Sequence, residues 1–226
     1  MSAGQALFRF YRPFIIGFSG VVVALEVAAL VIAAVNGKLN YSTWLLFTGT
    51  GVRWWLLVVG TVLVALQLKV FVSNGVTRRE FVRGAARFML ALAVGWAAVL
   101  ALGHGLESYV MGLLDQRGSN YPVATASQML SDFGHALPGL IAYPLSGAVI
   151  AVGFYRFRTW IGVGVMVLGA VPVVVGDYLL RINGNGHVTH QGPYVLALLG
   201  SLAISGVAAV AFLRLMSDVP IRRTAG

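Results

Sequence analysis

The chain has 226 residues, 58% hydrophobic and only 10% charged, with a mean hydropathy of +0.85. A soluble domain carries about 25% charged residues, so the deficit assigns this chain to the bilayer. The absence of cysteine excludes a disulfide framework and any Cys-ligated zinc or iron–sulfur site, and the formal charge of +9 informs through its distribution, not as a nucleic-acid footprint.

The first element is a brief amphipathic lead-in over residues 1–13. Ala6, Leu7, Phe8, Phe10 and Tyr11 alternate with Arg9 and Arg12, and Pro13 is expected to break it from the first span, leaving it along the membrane interface. Six apolar runs then reach, or nearly reach, the length that crosses roughly 30 Å of hydrocarbon at 1.5 Å per residue. They are 14–35, 54–72, 85–103, 136–154, 160–180 and 194–215. Arg87 intrudes near the start of the third. No ten-residue alternating pattern recurs, so a β-barrel is not expected. The first run is too long for a cleaved signal peptide and is read as retained. The predicted fold is a single all-α transmembrane domain of six helices.

Lys and Arg divide unevenly between alternate sides. Arg9, Arg12, Lys69, Arg78, Arg79, Arg83, Arg87, Arg156, Arg158, Arg214, Arg222 and Arg223 fall on one side, twelve in all; Lys38, Arg53, Arg117 and Arg181, four, fall on the other. By the positive-inside rule both termini are predicted to be cytoplasmic, in a multi-pass protein of the cell membrane. Residues 103–135 then form the long outer loop. Leu106, Tyr109, Val110, Leu113 and Leu114 in it follow helical spacing and suggest a short helix lying flat on the outer leaflet. Asn183-Gly184-Asn185-Gly186 is expected to make the outer turn before the last span. Trp54, Trp55 and Trp160 fall at predicted boundaries, as interfacial anchors do.

Few residues offer chemistry. Glu26 sits inside the first span, at a cost of about 2.5–3.5 kcal/mol on insertion scales, either as a functional acid or as a helix-locking carboxyl. Proton coupling would require a second titratable group at similar depth, and none is expected; Asp177 lies near the outer end of the fifth span and Lys69 can snorkel inward. His104 and His135 end neighbouring spans, and His187 and His190 are spaced i, i+3, so haem or a loop metal must be weighed, although solvated loop histidines are the plainer reading. There is no His-Glu-x-x-His, Gly-x-Ser-x-Gly or Ser-x-x-Lys pattern, and no Gly-x-x-x-x-Gly-Lys-Ser/Thr loop to cradle ATP. Gly147, Gly153, Gly162, Gly164, Gly200 and Gly206 read as helix-packing positions, with Pro138, Pro144 and Pro172 as bends.

Residues 73–85 carry the most information. Arg78, Arg79 and Arg83 stand at helical spacing among Val76, Phe81 and Val82, between two apolar runs. This composition predicts a short basic helix on the cytoplasmic surface, within reach of a soluble partner. With six spans and the amphipathic lead-in, the Gly75-Val76-Thr77-Arg78-Arg79-Glu80-Phe81 element resembles the permease subunits of ABC type-2 exporters. The resemblance implies that this segment is a coupling helix and that Thr77, Arg78, Arg79, Glu80, Phe81 and Arg83 contact a separate nucleotide-binding subunit. It also implies that ATP and magnesium are held by that ATPase and that a second permease copy or paralogue completes the transporter. The absence of a charged ring along any span points to an apolar or amphiphilic cargo, with membrane lipid as the surroundings. The alternatives are a non-transporting assembly or immunity protein and a haem-bearing electron carrier.

Overall fold

A computed structural model describes residues 3–182 and 188–217. Six helices in it are long and apolar enough to cross a membrane. They are α1 (Ala3–Asn36), α2 (Thr43–Ser73), α3 (Arg78–Leu113), α4 (Ala126–Arg156), α5 (Thr159–Leu179) and α6 (Tyr194–Ser217). A two-stranded antiparallel hairpin of β1 (Leu180–Ile182) and β2 (Val188–His190) joins the last two, with Arg181 opposite Thr189. The predicted 183–186 turn, His187, Arg222 and Arg223 lie outside the described residues.

The helix count agrees with the hydropathy reading, but five boundaries do not, among them the start of α4 at Ala126, ten residues before its predicted one. Pro13 does not break the lead-in, since α1 runs through it. A proline inside a helix loses one hydrogen bond, and here Leu7 and Tyr11 just before it are buried against the core, with Tyr11 5.2 Å from the Phe88 ring. The second helix begins at Thr43, eleven residues before the predicted start. It passes through two π-helical stretches, Thr48–Val52 and Leu63–Gln67. The third starts at Arg78 and ends at Leu113, absorbing residues from both neighbouring predicted loops. The outer helix expected around Leu106–Leu114 is therefore the continuation of α3, and Leu130, Phe133 and Leu137 lie on α4.

Side-chain caps fix these starts. Ser42 Oγ accepts the Leu45 amide at 3.1 Å for α2, and Thr125 Oγ1 accepts that of Gln128 at 3.2 Å for α4. Before α3, Gly75 at φ +80° turns the chain, a conformation that glycine adopts without strain.

Helix α4 is the axis of the bundle. It packs against α2, α3, α5 and α6, and most of its membrane-spanning window is buried. Close approach to α2 depends on two missing side chains. A Cβ on Gly60 would strike the Pro144 backbone, and one on Gly147 the Leu57 carbonyl. By contrast α1 packs chiefly on α3, and Phe14, Ile16, Val21, Val31 and Ile32 are exposed along it. Trp55 is not a boundary anchor, because it stacks on Phe18 at 4.7 Å inside the bundle.

Candidate functional site

The basic segment is placed differently from its prediction. No separate surface helix exists over 73–85: α2 ends at Ser73, a four-residue turn comes next, and Arg78 opens α3. Local chemistry explains the start. Thr77 Oγ1 accepts the Glu80 amide at 3.2 Å, while Glu80 Oε2 accepts the Thr77 amide at 3.0 Å and its hydroxyl at 2.8 Å. This reciprocal box satisfies helix-end donors and leaves nothing to stop propagation into the apolar run.

Arg79, Arg83 and Arg87 then stand at i, i+4 and i+8 and are exposed. Phe81 does not belong with them. It is 0% exposed and packs on Phe71 at 5.6 Å, so it braces the turn against the core and is not available to a partner. A cleft of about 260 Å³ separates the first residues of α1 from the first turns of α3, lined by Ala3, Gly4, Val76, Glu80, Arg83 and Arg87.

At the opposite end of α3 lies a buried polar cluster that the sequence reading missed. Glu26 on α1 and Glu107 on α3 are 7% and 3% exposed. The Thr43 hydroxyl lies 3.0 Å from each oxygen of Glu26 and 2.9 Å from Oε1 of Glu107. Glu107 also accepts the Thr43 amide at 2.8 Å and the Ser42 hydroxyl. Glu26 thus has a titratable neighbour at its own depth, contrary to expectation. Tyr121, in the connection between α3 and α4, is buried beside them. Burial, and next the charge of Glu107, push its hydroxyl above the ordinary phenol range.

One turn away, His104 Nδ1 is 2.6 Å from Asp132 Oδ2, and Nε2 is 3.0 Å from the Pro122 carbonyl. Both ring nitrogens are engaged, which leaves none for an iron. The His135 ring stacks on His190 at 5.7 Å and lies tilted against Tyr194 at 4.6 Å. Among the described residues no group of three or more metal-ligating side chains forms.

Asp177 is the third feature. Its Oδ1 accepts Arg53 Nη1 at 2.8 Å and its Oδ2 accepts the Tyr143 hydroxyl at 2.7 Å. These three residues come from α2, α4 and α5 and border a cleft of about 630 Å³. Arg53 was counted with the outer loops, but it lies well inside a helix predicted to begin after it. No protein family, curated protein or solved structure matches the chain.

Proposed function

We propose that the chain is the membrane-spanning subunit of an ATP-driven exporter, with both termini and the Arg79 end of α3 in the cytoplasm of the cell membrane. In this reading a separate nucleotide-binding subunit docks there, and a second permease, identical or paralogous, lies alongside in the bilayer. The observation that carries it is the continuity of α3. One 36-residue helix leads from an exposed arginine stripe to the buried Glu107 cluster. Arg79 and Glu107 are 28 residues apart, about 42 Å at 1.5 Å per residue.

A rigid rod of that length suits mechanical coupling better than a hinged surface helix would. Thrust on Arg79 and Arg83 displaces α3 along or across its axis. At the far end, the bonds joining Glu107 to Thr43 and Glu26 carry the displacement to α2 and α1. The cleft between α1 and α3 receives the partner's segment, with Arg83 and Arg87 offering charge-assisted hydrogen bonds to its carboxylates. The reading assigns ATP and magnesium to the partner, and only the movement to this chain.

The test is purification of the tagged protein from its native membrane in mild detergent. A nucleotide-binding ATPase is expected in near-stoichiometric amount. Arg79→Glu with Arg83→Glu removes it without changing the melting temperature, since both side chains are exposed. An intact chain that brings no ATPase, or an association indifferent to both charge reversals, overturns the proposal.

A further inference from the structure

The cleft bordered by Arg53, Asp177 and Tyr143 plays no part in docking, and its chemistry is unfinished. A guanidinium has five N–H donors, and a buried one ordinarily uses them. Arg53 is 94% buried by residue surface, the complement of its 6% exposure, yet Nε and Nη2 have no hydrogen-bond partner. Asp177 does not supply the missing acceptors, since one of its oxygens serves Arg53 Nη1 and the other serves Tyr143. Unmade bonds at a buried cation are costly, and an ionisable group retained at membrane depth marks a ligand path.

The surroundings define the acceptor. Arg181 lies at the cleft wall and is exposed, so the site holds two arginines and one aspartate, a net charge of +1. One negative charge balances it. The first π-helical stretch of α2 brings Gly49 and Thr50 to the same wall. Stretches of this kind recur at functional sites because they displace the backbone from regular helix geometry.

Access is lateral. Helices α2 and α5 both pack on α4, and the cleft opens between them, beside Trp54, Val174 and Tyr178, all more than half exposed. We propose that this cleft binds the anionic head group of an amphiphile, a phosphodiester or carboxylate, with its apolar tail lying along Trp54 and Val174. The volume, about 630 Å³, is in the range of small-molecule sites. Nε and Nη2 lie on the Gly139 side of the guanidinium and are sealed from solvent, so they reach a ligand only when the guanidinium shifts locally, and Arg181 supplies the exposed charge at the cleft wall. The inference stands whether or not an ATPase drives the chain.

The test is thermal unfolding of the detergent-purified protein titrated with dihexanoyl phosphatidylglycerol, dihexanoyl phosphatidylcholine or inorganic phosphate. Saturable stabilisation is expected from the first alone. Arg53→Gln with Asp177→Asn, which removes both charges and keeps both positions polar, is expected to abolish it. Arg181→Gln, at the exposed wall, is expected to weaken binding about tenfold and keeps the test decisive if the double variant does not fold. An equal response to phosphatidylcholine overturns anion recognition. An equal response to inorganic phosphate assigns the site to a free anion and overturns the amphiphile. Wild-type binding by Arg181→Gln, or by a folded double variant, overturns the site itself.

Discussion

Glu26 and Glu107, from different helices, converge on a single hydroxyl. Thr43 Oγ1 lies within 3.0 Å of both carboxyl groups, and one hydroxyl proton cannot serve two acceptors at once. The cluster therefore joins α1, α2 and α3 through one small side chain. Thr43→Val preserves shape and removes the bridge, and is expected to cost about 1–3 kcal/mol, while Thr43→Ser costs less. The two acids are not equivalent. Glu107 holds the Thr43 amide and the Ser42 hydroxyl besides, so Glu107→Ala is expected to lower the melting temperature more than Glu26→Ala. Tryptophan-fluorescence melting in detergent measures all four; a larger loss at Glu26 counts against this division.

The His104–Asp132 pair is fully buried, and each partner depends on the other. His104→Ala strips Asp132 of its histidine and leaves Gln128, 2.9 Å away, as its remaining described side-chain donor. Breaking a buried pair of this kind costs about 3–5 kcal/mol when the remaining partner is charged. Asp132→Asn keeps an oxygen for hydrogen bonding and is expected to be milder. Because both nitrogens of the His104 imidazole are occupied, no Soret band that depends on His104 is expected from the purified protein. A band that disappears with His104→Ala contradicts the geometry.

Glycine positions divide sharply by what surrounds them. Gly60 and Gly147 touch the backbone of the facing helix, which cannot rotate away as a side chain can. Gly60→Ala or Gly147→Ala is expected to separate α2 from α4 and to cost more than 2 kcal/mol, roughly the upper range for overpacking. Gly164 and Gly206 have nothing within 4 Å, so alanine there is expected to be neutral or stabilising by about 0.5–1 kcal/mol. Thermal melts of the four variants decide the matter. Destabilisation at Gly164 equal to that at Gly60 refutes the packing assignment.

The contrast between what hydropathy reveals and what it hides has a physical basis. Six spans were legible because burial in lipid demands long apolar runs: five of the six predicted runs fall wholly within one helix, and the fifth overshoots its helix by the single residue Leu180. Helix ends were not, because a capped helix continues past its apolar part for as long as one face stays buried. His104, Glu107, Ser108 and Met111 form such a face at i, i+3, i+4 and i+7. That polar stripe was the signal for the carboxylate cluster, and assigning residues 103–135 to a loop concealed it. Phe81 was expected to be a contact residue because the resemblance carried over the whole Gly75–Phe81 element, whereas its own environment is the core. Asp177 was visible as an intramembrane acid, but its partners Arg53 and Tyr143 lie 124 and 34 residues away, and no local pattern encodes such pairing.

Orientation is the remaining premise of the docking proposal, since ATP is available only on the cytoplasmic side. The structure sorts the connections into two ends. Loop 37–42 meets loop 114–125 through the Lys38–Asp115 pair at 3.0 Å and through the Gly118 amide donating to the Leu39 carbonyl at 2.7 Å. The 74–77 turn lies at the other end of α2 and α3, together with the start of α1, where Gly4 abuts Gly84. The docking proposal takes this second end as the cytoplasmic one, which is what the twelve-to-four division of Lys and Arg predicts. The chain contains no cysteine, so single replacements report without background. Ser119→Cys and Arg79→Cys are both at exposed positions. A membrane-impermeant maleimide applied to intact cells is expected to label the first and to reach the second only after lysis. Labelling of Arg79→Cys in intact cells inverts the molecule, removes its arginine stripe from any ATPase, and leaves the proposed anion-binding cleft near the inner leaflet instead of the outer one.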